Sequence, residues 1–329
     1  AGPRLLRLQS GVTLIVQLVL VGALVGLACW PLNLVDHWQD LMLHSLPGFT
    51  GERWSIGGIV VACSPIVVMP VLLTLQAQRW RGGAGSGIPQ TMTSLEEPEQ
   101  ADRLMAPAPV LQRLAIWTLA SLSLFPLGRE GPVVQVGAAV AYQLRRRWPR
   151  LLERLSPQDL MAVASGAGLA GGFNTPLMGV VFVAEELTRS FAARLIWPGL
   201  VICAIAAEIS NLGGQPLFTL GLVHTGAIEW SQLLWGCGLG VIGGLAGGLF
   251  ARLLLESTRW LTPRVRSAPV RSGLILGTAL GALALVSGGI SGGDGEALMS
   301  WLIEAPTEHH GTVLVLIARL VAPCLALGA

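Results

Sequence analysis

The sequence predicts an all-α polytopic membrane protein built from short, tilted and broken helices. Three observations carry that reading. Only 12% of the 329 residues are charged and 52% are hydrophobic, where a soluble domain of ordinary composition carries about a quarter charged residues. Apolar stretches recur along the whole chain, several of them close to the ~20 residues that cross a ~30 Å hydrocarbon core. Glycine, at 42 residues, gathers with proline where those stretches begin or break. The 21 basic residues are all arginine, and a chain without lysine has neither a Schiff-base amine nor a phosphate-loop lysine. A net charge of +2 is too small to argue for nucleic acid as a partner.

In order, the apolar stretches run over residues 11–30, 57–76, 110–127, 132–144, 160–185, 195–211, 231–255, 272–288 and 312–329. The first has no small-residue cleavage site ahead of a soluble domain, so it reads as a span and not as a removed signal peptide. Arg4 and Arg7 precede it; Arg79, Arg81, Arg103 and Arg113 flank the segment after the second stretch. Arg145, Arg146, Arg147, Arg150 and Arg154 form one further cluster, and Arg259, Arg264, Arg266 and Arg271 another. The connections near 31–56, 212–230 and 289–311 hold one arginine, Arg53. By the excess of arginine in short cytoplasmic loops, the N-terminus is expected to be cytoplasmic and those three connections to face outward. Cys29, Cys63, Cys203, Cys237 and Cys324 sit mostly inside apolar stretches and read as small buried hydrophobes. No metal or cofactor motif is found, and the expectation is that the chain uses neither.

Three glycine and proline knots carry the chemistry: Gly82 to Pro89, Leu127 to Pro132, and Gly166 to Pro176. Irregular backbone at membrane depth is tolerated only where it is buried or lines a wet cavity, and interrupted spans point to a transport site. Pro89, Pro132 and Pro176 each suit the first turn of a new helix, where the missing N–H is not needed. A helix start carries unpaired N–H donors and a partial positive charge, so it attracts anions without a full countercharge. The glycines of Gly236 to Gly248 are read differently, as small residues that let helices approach closely. Glu130, opening the apolar run after Gly128 and Arg129, is costly in a membrane and is a functional candidate on that ground alone.

Gly85-Ser86-Gly87-Ile88-Pro89 and Gly128-Arg129-Glu130-Gly131-Pro132, with the run Ala170 to Glu186 reading AGGFNTPLMGVVFVAEE, resemble three motifs of the CLC chloride channel and transporter family, in the family's order. The resemblance extends from the first span to about Gly293 and implies a pair of inverted repeats, with a first repeat over 1–212 and the start of a second over 213–329. It implies anion ligation by Ser86, Gly87, Ile88, Pro89, Arg129, Glu130 and Gly131, with serine at position 86 favouring chloride. Glu130 becomes the external gating glutamate that competes with chloride and carries the proton. Glu186 becomes the internal proton-transfer glutamate, with Glu185 as its supporting neighbour; residue chemistry alone allows a solvated helix end there. Arg129 is either a counter-ion to Glu130 or its structural support.

Chloride and protons, the lipid bilayer and a second copy of the chain are the partners so implied, in the inner membrane of a bacterium. An acid at position 186 favours proton-coupled exchange over a passive voltage- or pH-gated channel. A remote alternative is an intramembrane hydrolase, for which Asp36, Asp40, Asp102, Asp159 and Asp294 are all expected in loops or at span edges. The sequence departs from the family after the first repeat. A second repeat of similar length would run to about residue 430, only Ala322-Pro323 resembles the tail of its anion motif, and Tyr142 is the single tyrosine. Part of a longer chain is therefore expected, in preference to a shortened homologue with half a site.

Overall fold

A computed structural model describes residues 3–212, 230–304 and 312–327, with side chains over 11–212, 230–303 and 314–327. The expected outer loops around 213–229 and 305–311, with His224, His309 and His310, lie outside the described residues, as do the side chains of Arg4 and Arg7. Everything described is helix, turn or loop, with no strand. The helices are α1 (Pro3–His44), α2 (Pro47–Thr50), α3 (Ile56–Cys63), α4 (Pro65–Gln78), α5 (Ile88–Glu96), α6 (Pro98–Leu104), α7 (Pro107–Ser121), α8 (Glu130–Arg147), α9 (Pro157–Phe173), α10 (Pro176–Phe182), α11 (Ala193–Ser210), α12 (Trp230–Ser267), α13 (Pro269–Val286), α14 (Glu296–Glu304) and α15 (Thr312–Leu327). Among the described residues five helical stretches are long and apolar enough to cross a membrane: Gly11–His44, Ile56–Gln78, Ala193–Ser210, Trp230–Ser267 and Pro269–Val286.

Pro89, Pro132 and Pro176 do fall in the first turns of α5, α8 and α10. The apolar stretch 160–185 is not one helix: α9 ends at Asn174, whose φ of 51° is left-handed, and α10 starts at Pro176. The first helix departs from expectation in the other direction. It does not stop near residue 30 but runs through Pro31 to His44, so Asp36 and Asp40 lie in a helix and not in a loop. The polar residues of this extension are held by tertiary bonds that hydropathy cannot register. Asn33 donates to the carbonyls of Gly171 (3.0 Å) and Ser210 (3.2 Å), and Gln39 donates to Ser121 O at 2.7 Å and Ser121 Oγ at 2.8 Å.

The chain divides into two compact units. The first takes Ala1–His37, Arg79–Thr118 and Arg129–Leu217, and the second Trp38–Gln78, Leu119–Gly128 and Phe218–Ala329. In the first unit α8 and α9 are buried on nearly all sides, from Gly131 to Ala139 and from Leu160 to Gly168. A helix apolar all round is a core element, and two such helices can meet only where side chains are absent. A Cβ on Gly137 of α8 would strike the carbonyl of Ala164, and one on Gly168 of α9 the carbonyl of Val133. The remaining elements pack around this pair: α11 and α10 lie on α9, and α5 on α8 and α9. In α1, Gly22 and Gly26 press against Ile205 and Ala206 of α11.

In the second unit α13 packs on α4, with Gly273 against Pro70 and Gly277 against Pro65. Leu43, Leu46, Leu124 and Ala297 form a buried cluster flanked by Phe49, Trp54 and Val61. Asp294 sits in a glycine turn, as expected, and accepts a bond from the backbone N–H of Glu296 at 3.0 Å. The glycines of α12 from Gly236 to Gly248 behave unlike those of α8 and α9. No described atom lies within 4 Å of a Cβ built on any of them, so the close packing expected of them is not made by the described residues.

That contrast predicts opposite outcomes for one substitution. Gly137→Ala forces α8 and α9 apart and is expected to cost about 1–3 kcal/mol or more. Gly243→Ala meets nothing and removes backbone freedom from the unfolded chain, for a gain of about 0.5–1 kcal/mol. Thermal unfolding of the two variants in one detergent checks the pair, and equal midpoints contradict this account of the core.

Candidate anion and proton site

The turn that leads into α5 is built from two left-handed glycines on either side of one serine. After a short 3-10 turn at Arg81–Gly83, Gly85 takes φ 86° and Gly87 φ 115°, conformations that a side chain disfavours. Ser86 between them is exposed. Gln90 spans the turn from inside the helix, its Oε1 accepting from the Gly87 N–H at 3.0 Å and its Nε2 donating to Ala84 O at 3.1 Å. Thr91 Oγ1 donates to Gly87 O at 3.0 Å. Gly87 therefore offers the turn its conformation and its missing side chain, not a free N–H. Pro89 has no N–H; the Ser86 hydroxyl and the N–H of Ile88, the first residue of α5 and without an intrahelical partner, are among the donors the turn presents.

The carbonyls of the same turn are drawn the other way. Arg113 of α7, 3% exposed, donates from Nε to Gly85 O at 2.9 Å, and from Nη2 to Ala84 O at 2.7 Å and Gly82 O at 3.1 Å. Its Nη1 bonds Gln135 Oε1 of α8, and Gln135 Nε2 reaches Leu104 O at 3.1 Å. Arg113 is thus a buried cross-link, not the surface topology anchor that its place in the sequence suggests.

Glu130 opens α8 and is exposed. The helix start beside it lies directly on the serine turn: a Cβ on Gly131 would collide with the Ser86 carbonyl, and a Cβ on Gly87 with that of Gly131. Ser86, Gly87, Glu130 and Gly131, which the sequence separates by more than forty positions, are therefore brought into one place. Arg129, at the N-cap of α8, is turned into the protein. It forms an ion pair with Asp36 of α1, with side-chain exposures of 9% and 14%, and its guanidinium lies 4.8 Å from the centre of the Phe173 ring. Asp36 was not a candidate on sequence, because hydropathy puts it in a loop.

Glu185 and Glu186 lie beyond α10, in a turn of π-helix over Val183–Leu187 closed by Thr188 N–H to Val183 O at 2.9 Å. Both are exposed. One-turn π segments of this kind are frequent at functional sites. Glu186 lines a cavity of about 130 Å³ with Met92, Leu95, Glu96, Leu187, Thr188 and Arg189, roomy enough for several waters. The same helix, α5, thus presents its start to Ser86 and its end to Glu186. Nine residues at 1.5 Å each separate the two by about 13 Å.

A buried helical core carrying two glycine-bordered helix starts, with an acid at one of them, defines a polytopic helical membrane protein with a candidate anion site. The chain belongs to the voltage gated chloride channel family, whose sequence profile it matches over residues 67–329. It is 26% identical over 290 residues to the H(+)/Cl(-) exchange transporter ClcA of Salmonella arizonae, and to that of Salmonella newport, covering 86% of this chain and 59% of each relative. The chain thus spans about three fifths of the length of these curated relatives. Its fold is similar to that of a slow cyanobacterial Cl-/H+ antiporter (TM-score 0.73, 24% identity, 96% of this chain and 73% of that one) and of a CLC-type fluoride/proton antiporter (0.72, 24%, 96% and 75%).

Breaking the Arg129–Asp36 pair tests its place in the site. Asp36→Ala strands a buried guanidinium and is expected to cost about 3–5 kcal/mol, read as a lower unfolding midpoint in detergent. A midpoint unchanged from the parent would show that the pair is not needed to hold the start of α8.

Proposed function

We propose that the protein exchanges chloride for protons across a bacterial inner membrane, with its N-terminus in the cytoplasm, working as a homodimer of chains each built on an inverted repeat that divides near residue 212. The single observation that carries the anion site is the contact between the Ser86 turn and the start of α8. Two helix starts and a hydroxyl converge there, and such an arrangement attracts a small anion through partial charges and still lets it leave. The names of the ClcA relatives and of the cyanobacterial antiporter support exchange as the activity.

Glu130 supplies the coupling. Its carboxylate is itself an anion tethered at a helix start, so ionised Glu130 and chloride compete for the same donors. Protonation removes that competition: the neutral side chain leaves, chloride enters, and the proton travels with Glu130. Glu186, beside the cavity at the far end of α5, exchanges protons with the opposite side, and Glu185 supports it. Serine at position 86 favours chloride among the small anions. An acid at position 186 favours exchange over the passive channel, which would need no internal proton relay.

Flux into chloride-loaded liposomes tests the reading. Chloride running down its gradient is expected to drive protons uphill. Glu130→Ala removes the coupled proton movement, and Glu186→Gln reduces it to background while chloride still moves. Chloride flux with no proton movement in the parent protein overturns exchange in favour of the channel.

A further inference from the structure

We infer that the loop joining α8 to α9, from Trp148 to Ser156, is a binding surface for the headgroup of an anionic phospholipid. The five arginines at the end of α8 and in this loop are not equivalent. Arg145 is a strut: its Nη1 bonds the Leu151 carbonyl and its Nη2 donates to Leu155 O at 3.4 Å. Arg146 pairs with Asp102 of α6 at 2.9 Å, and the Tyr142 hydroxyl donates to the same carboxylate oxygen at 2.7 Å. Arg147, Arg150 and Arg154 are exposed. Among the described residues none of these three makes an ion pair or a side-chain hydrogen bond. Glu153 is the one acid in the loop. The loop is not free to fold back on its charges, because its apolar side is anchored: Leu151, Leu152 and Leu155 are all buried.

The depth of the loop selects the partner. The Leu152 N–H donates to Gln17 Oε1 at 3.0 Å, and Gln17 lies in the second turn of the span that begins at Gly11. The loop is thus held where α1 enters the hydrocarbon, at the level of the lipid headgroups. Val12, Ile15, Val16 and Val19 in the same turns of α1 are exposed and offer an apolar face to acyl chains. Trp148 is 48% exposed, and an indole suits the boundary between membrane and water. Guanidinium forks match phosphate oxygens. A phosphodiester carrying acyl chains satisfies the charges, the ring and the apolar face together, whereas a soluble acidic partner would leave the last two unmatched. A zwitterionic lipid brings its own cation to the phosphate, so an anionic one is preferred. Setting the topology of the chain needs only the arginine charge and would not discriminate among lipids.

Native mass spectrometry of the detergent-purified full chain, titrated with phosphatidylglycerol or with phosphatidylcholine of the same acyl chains, tests the inference. The parent is expected to bind its first phosphatidylglycerol about tenfold or more tighter than phosphatidylcholine, since each arginine near an anionic headgroup is worth about fivefold. The triple variant Arg147→Gln, Arg150→Gln, Arg154→Gln should bind the two lipids alike. Its three positions are exposed and hold no other part of the protein, so its unfolding midpoint should equal the parent's. The variant Arg259→Gln, Arg264→Gln, Arg266→Gln removes the same charge from the end of α12 and should keep the preference. Inorganic phosphate in large excess should leave phosphatidylglycerol bound. A parent that does not discriminate between the lipids overturns the inference, as does a loop variant that discriminates as well as the parent. Equal loss in the α12 variant would make the preference one of net charge and not of this loop. Displacement by inorganic phosphate would make the loop a phosphate site and not a lipid surface. Either result also rejects it.

Discussion

The contact between Gly87 and Gly131 is the constraint on which the rest of the site depends. Two backbones touch there, carbonyl to Cα in both directions, with no room for a single Cβ. Each glycine is fixed by something larger. Gly131 begins the run of α8 that is buried to Ala139 against α9, and that crossing has its own glycines at Gly137 and Gly168. Gly87 ends a turn whose carbonyls are held by the buried Arg113. The helix starts cannot drift relative to each other unless the core of this unit opens, and that rigidity is what an anion held by partial charges requires.

Charge inside this unit is used sparingly, and each cation is given something to do. Arg113 replaces the hydration of its guanidinium with three carbonyls and an amide, without a carboxylate among those partners. Arg129 has Asp36 and the face of Phe173. Glu130 and Ser86, by contrast, are exposed, on the surface that the two arginines organise from behind. Two acids at the other end of α5 follow the same pattern: Glu186 lines a cavity and Glu96, at the end of α5, shares it.

The three glycine and proline knots were legible because their composition is improbable for anything else in a membrane chain. Proline at 89, 132 and 176 marks helix starts by its missing N–H, a property that needs no tertiary context. Other features were not legible for equally physical reasons. Pro31, Asn33, Asp36 and Gln39 look like the beginning of a loop, and only partners far along the chain, at Gly171, Ser210, Arg129 and Ser121, make that stretch helical. Arg113 belongs by sequence to a set of arginines flanking spans, and burial alone separates it from them. Gln90 carried one local signal, its place three residues into a helix after a turn, where a side chain can reach back to the N-cap.

By itself the sequence determined that the chain is a polytopic helical membrane protein, where several of its helices begin, and which few acids stand in apolar surroundings. These follow from composition and from the local rules of proline, glycine and hydropathy. Only the tertiary structure decided that the Ser86 turn and the Glu130 helix start share one place, that Arg129 faces Asp36, and that Glu186 opens on a cavity beside α5. Those facts depend on contacts between segments tens to more than a hundred residues apart, made possible by side chains that are absent, and no local pattern records which glycine will meet which.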